Sequence, residues 1–121
     1  MFDLDHLEAM LVAAARAREP LTYAQVMRGF GMDFERWRVR HLCAALDAVD
    51  ELQRGKDRPE LAVLVVRGSD GLPGQGWWLS KHPAQREWSG EFTGPEAELY
   101  VSRIQRELFQ WWEDRDADGK L

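Results

Sequence analysis

Arg58-Pro-Glu-Leu-Ala-Val-Leu-Val-Val-Arg-Gly-Ser-Asp-Gly-Leu-Pro-Gly-Gln-Gly-Trp-Trp-Leu-Ser80 joins two apolar runs through a loop rich in glycine. The first run, 61–66, is largely β-branched, and the second, 77–79, carries two tryptophans. Between them lie Gly68, Gly71, Pro73, Gly74 and Gly76. β-branched residues favour a pleated strand, and glycine supplies the dihedrals of tight turns. The pattern predicts a β-hairpin with strands over 61–67 and 77–81. Trp77 and Trp78 would then point to opposite faces of the second strand.

Upstream, the periodicity changes from two to about three and a half. A helix is expected from Asp33, a good N-cap, to about Gln53. Val39, Leu42, Cys43, Leu46 and Val49 share one side of it, and Trp37, Arg40, His41, Ala44 and Ala48 the other. Before it, Thr22 and Gln25 have the spacing of a capping box, so a second helix opens at Thr22 and ends at Gly29-Phe-Gly31. A first helix over 4–18 follows from the stripe Leu4, Leu7, Leu11, Ala14, with Asp5 and Glu8 as its expected box and Pro20 as its stop.

Downstream, 82–95 reads as a turn-rich connector. A C-terminal helix over 96–116 follows, and then a solvated tail, 117–121. In that helix Ala97, Val101, Ile104, Leu108 and Trp111 alternate four and three residues apart, and Trp112 widens the stripe. The stripe has two readings, a seat on the chain's own core or a pairing with a second subunit. So much apolar surface favours a partner, and Val101, Ile104, Leu108, Trp111 and Trp112 are the expected interface of a two-fold homodimer or of a protein partner.

Helix, helix and hairpin in this order resemble the winged helix-turn-helix superfamily over about 20–80, half of the chain. Within that superfamily, Pro20-Leu-Thr-Tyr-Ala-Gln-Val, the helix Trp37-Arg-Val-Arg-His-Leu-Cys-Ala-Ala-Leu and the Val-Val strand before an Asp-Gly turn are similar to the DNA-binding part of alkylguanine transferases and alkyltransferase-like proteins. In those families a helical arginine enters the duplex, and a Pro-Cys-His-Arg motif carries the reactive cysteine. The matching segment here, Pro59-Glu-Leu-Ala-Val-Leu-Val-Val, has no such motif. The resemblance therefore implies a helical arginine, Arg38 or Arg40, and no alkyl transfer.

The expected fold class is α+β: one winged helix-turn-helix domain with a β-hairpin wing and an added C-terminal helix. Its parts are the N-terminal helix (1–19), the helix-turn-helix with wing (20–81), the connector, the last helix and the tail. The resemblance implies double-stranded DNA as partner. Arg36, Trp37, Arg40 and His41 would face the major groove, where arginine reads guanine through two hydrogen bonds. Arg28, Arg38, Arg67 and Lys81 would lie on phosphates. A small transcriptional regulator is the first functional expectation. A winged-helix interaction module or an accessory subunit that does not bind nucleic acid is the alternative.

Composition bounds these readings. The 121 residues suffice for one core, and the net charge of −5 argues against indiscriminate binding to polyanions. Charge is uneven, however: 96–121 hold seven acids against four bases, whereas 28–40 hold Arg28, Arg36, Arg38 and Arg40 against Asp33 and Glu35. A single cysteine, Cys43, excludes an internal disulfide and fits a reducing, cytoplasmic setting. The opening Met1-Phe-Asp-Leu-Asp-His lacks a signal peptide's basic start, and no membrane span is expected. His6, His41 and His82 are not grouped at metal-ligand spacing. No metal, cofactor or nucleophile constellation is visible, so an enzyme is not expected.

Overall fold

The structure is a computed structural model that describes residues 1–79, 88 and 90–119. Its elements are α1 (Leu4–Ala17), β1 (Leu21–Thr22), α2 (Tyr23–Gly29), α3 (Arg36–Gly55), a 310 turn (Ala62–Leu64), β2 (Val65–Val66), α4 (Gln75–Trp78) and α5 (Pro95–Gly119). The fold is α+β, mostly helical, with one two-stranded sheet. None of the helices, over the described residues, is long and apolar enough to cross a membrane.

α1 buries Leu7, Leu11, Ala14 and Ala15. Its cap is Asp3, whose carboxylate accepts from the His6 amide at 3.1 Å, not the expected Asp5 and Glu8 pair. The chain leaves α1 through Arg18 in the left-handed region (φ 58°), a conformation that costs a side-chain-bearing residue. There its amide caps the helix end, donating to the Ala15 carbonyl at 3.2 Å, while its guanidinium meets Glu113 at 2.7 Å and lies over Phe109. α2 has the expected reciprocal box. Gln25 N donates to Thr22 Oγ1 at 3.1 Å, and Thr22 N donates to Gln25 Oε1 at 2.8 Å.

The N-cap of α3 is Glu35, two residues after the expected Asp33, and it makes no side-chain cap bond. Asp33 serves through its carbonyl, which accepts from Arg38 Nη1 at 2.7 Å. Leu42, Leu46 and Val49 enter the core as the periodicity predicts, followed on the same side by buried Asp50 and Gln53.

The expected hairpin is absent from the described residues, and Asp50 supplies part of the reason. Its Oδ1 accepts from the amides of Leu61 (2.7 Å) and Ala62 (2.9 Å). With those donors drawn to a carboxylate, the backbone closes a 310 turn where a strand was expected. Only Val65 and Val66 are extended, and they pair in parallel with β1, Leu21 opposite Val65 and Thr22 opposite Val66. The whole run 61–66 is buried, turn and strand alike.

The second expected strand is replaced by α4. Adjacent residues in a helix lie about 100° apart, not 180°, so Trp77 and Trp78 can both turn inward. Their rings meet edge to face at 4.8 Å, and Trp78 lies stacked against Phe92 (5.2 Å) and Tyr100 (5.9 Å). Lys81 and half of the connector lie outside the described residues. α5 covers α1 and the 310 turn: Ala97, Val101, Leu108 and Trp112 are buried, and buried Gln105 donates to the Val63 carbonyl at 2.9 Å.

Candidate functional site

A groove of about 700 Å3 opens between the start of α3 and the 67–76 segment. Tyr23 and Ala24 from α2, Phe34 ahead of α3, and Val39 and Cys43 within α3 give it an apolar floor. Arg36 and Arg40, one turn apart on α3, and Arg67 across the gap give it a cationic rim. No carboxylate lies among its lining residues.

Each wall has a local cause. Tyr23 is the first residue of α2, fixed by the capping box before it. Its buried hydroxyl accepts from the Gly74 amide at 3.0 Å and so holds the loop against α2. A side chain at position 74 would begin 2.8 Å from that hydroxyl, so this approach requires glycine. The loop also folds on itself: Arg67 pairs with Asp70 (2.9 and 3.2 Å), and Asp70 Oδ1 accepts from the Leu72 amide at 3.1 Å. Arg67 therefore reaches the groove with its charge largely neutralised. Arg36 and Arg40 form no ion pair among the described residues.

Burial, and secondarily the neighbouring Cys43, push the Tyr23 hydroxyl up to about 12. Burial, and then the Asp47 carboxylate, push the Cys43 thiol up as well. A thiol shifted this way stays protonated at neutral pH and is a weak nucleophile. Among the described residues no group of three His, Cys, Asp or Glu side chains could hold a metal ion.

Of the residues singled out from sequence, Arg36, Arg40 and Arg67 meet at this groove. Trp37 and His41 are exposed beside it on α3, ring against ring at 5.9 Å. Arg38 donates through Nη1 to the Asp33 carbonyl at 2.7 Å and covers Trp37 (4.9 Å). Arg28 is exposed at the end of α2 and does not line the groove. The position of Lys81 lies outside the described residues.

The expected partner stripe is mostly consumed within the chain. Val101, Leu108 and Trp112 are buried because α5 lies on α1 and the 310 turn. Ile104 and Trp111 are partly buried and line a smaller cleft of about 280 Å3 with Trp77 and Glu107. Sequence reading missed Tyr23 and Cys43 as lining residues because both sit on apolar helix faces that look like plain core. Phe34 has no periodic signal, and its 53% exposure appears only in the fold.

Comparison of the chain with family models, with curated proteins and with solved structures finds no match.

Proposed function

We propose that this chain is a small DNA-binding protein of the helix-turn-helix kind, acting as a regulator. In this reading α2, the turn at 30–35 and α3 form the helix-turn-helix, and the folded 67–74 loop stands where a wing would. One observation carries it: on a chain of net charge −5, Arg36 and Arg40, which form no ion pair among the described residues, share one groove that no carboxylate lines. The first turns of α3 present Arg36 and Arg40 together, with Trp37 and His41 on the adjoining face, as a reading helix requires.

The test is binding of a mixed-sequence duplex across a salt series. Affinity is expected to fall steeply with salt, because phosphate contacts release counterions. Arg40→Ala should weaken binding to a selected site by about 1–3 kcal/mol. Absence of binding at low salt would remove the reading. Phe34 and Trp37, 53% and 54% exposed beside the groove, favour a second reading in which the same face holds a protein partner.

A further inference from the structure

We infer that the groove is a binding site for a small amphipathic anion, a compact apolar body bearing one carboxylate. Its volume of about 700 Å3 matches small-molecule sites, which run from about 300 to 1,000 Å3. The floor offers two aromatic rings, a valine, an alanine and a thiol, surfaces that gain by covering apolar groups and offer phosphate nothing. The rim supplies the charge. Arg36 and Arg40 lie four residues apart on one helical face and have no ion-pair partner among the described residues. A guanidinium fork takes a carboxylate through two parallel hydrogen bonds. Ser69 and Gln75 line the groove as well and offer hydroxyl and amide groups to a polar substituent. The site is built before any ligand arrives, since the Tyr23–Gly74 hydrogen bond and the Arg67–Asp70 pair fix the loop that closes it.

A DNA backbone could use the arginines but would leave the floor uncovered, and an apolar molecule could use the floor but would leave the arginines unpaired. A monoanion with an apolar body uses both. The site stands without the DNA reading. One consequence rests on that reading: such a ligand would occupy Arg36 and Arg40 and compete with DNA for them.

The test titrates the full chain with 1-naphthoate and with the uncharged 1-naphthamide, following backbone amide shifts. Naphthoate is expected to shift residues 22–24, 34–43 and 67–76, and to bind at least about tenfold more tightly than the amide. Arg36→Gln with Arg40→Gln should abolish that difference while leaving weak binding of both compounds. Val39→Phe, which fills the floor and keeps the arginines, should weaken both. Equal affinity for the two compounds, shifts elsewhere, or an unchanged preference in the arginine variant would overturn the proposal. Duplex binding is then measured with and without saturating naphthoate. Weaker binding supports the competition, and unchanged binding refutes it. If the naphthoate response is as expected but no duplex binds, the DNA reading fails and the anion site stands.

Discussion

The two ends of the molecule use arginine in opposite ways. Where α1 meets α5, Arg16 pairs with Asp116 at 3.0 Å and lies over Trp112, and Arg18 pairs with Glu113 and lies over Phe109. At the groove, Arg36 and Arg40 have an apolar floor beside them and no carboxylate. Both cations at the first site have their counter-charge within the chain. At the second the counter-charge must come from solution. In the proposed reading, this open pair is the place where a ligand would contribute free energy.

The contrast predicts effects of very different size. Trp112→Ala should cost the most, about 4 kcal/mol in urea denaturation, because the ring is fully buried beneath α1. Its indole N–H has no partner among the described residues, so packing and the overlying guanidinium groups alone hold it. A loss below about 1 kcal/mol would mean that α5 is not seated as described.

Asp50→Ala should cost about 2–3 kcal/mol by stranding the amides of Leu61 and Ala62 in the core. Asp50→Asn reads a different property. Burial pushes the Asp50 carboxyl up from 3.8 to about 7, against the pull of the two amides, with Glu60 adding to the rise. The folded chain therefore holds a proton that the unfolded chain releases. The contribution of this group to stability is full below pH 3.8 and is lost as pH rises through about 7. The carboxamide of Asp50→Asn does not titrate, so the fall in stability across that range should flatten. An unaltered pH profile in the variant would show that Asp50 does not hold that proton.

Tyr23→Phe removes the acceptor for the Gly74 amide and should cost about 1 kcal/mol, with faster hydrogen exchange at Gly74. The smallest effect is the one that completes the contrast. Arg36→Ala with Arg40→Ala should leave stability within about 0.5 kcal/mol of the parent. Arg16→Met should cost no more than about 1 kcal/mol, since that pair is half exposed. A large loss in the groove variant would show that its arginines serve the fold.

α1, α2, α3 and α5 were legible because their causes are local. Thr22 and Gln25 are three residues apart, and the stripe of α3 is visible in its own letters. The hairpin misled because its fate was decided from outside: the carboxylate that captures residues 61 and 62 sits eleven residues upstream, on what reads as the polar end of a helix. The same limit applies to α5. Its stripe announces apolar surface but not what covers it, and α1, nearly a hundred residues away, covers much of it. In the groove, the spacing of Arg36 and Arg40 placed them on one face. Arg38 has the same chemistry, and only the bond to the Asp33 carbonyl tells it apart.

The tryptophans have an optical consequence. Five of the six are buried or partly covered, and Trp37 alone is exposed, on the helix that borders the groove. An aqueous quencher should therefore reach one indole far more readily than the rest. The red edge of the emission spectrum would report almost solely on the first turns of α3, so the unmodified protein carries its own reporter at the face where a ligand would arrive.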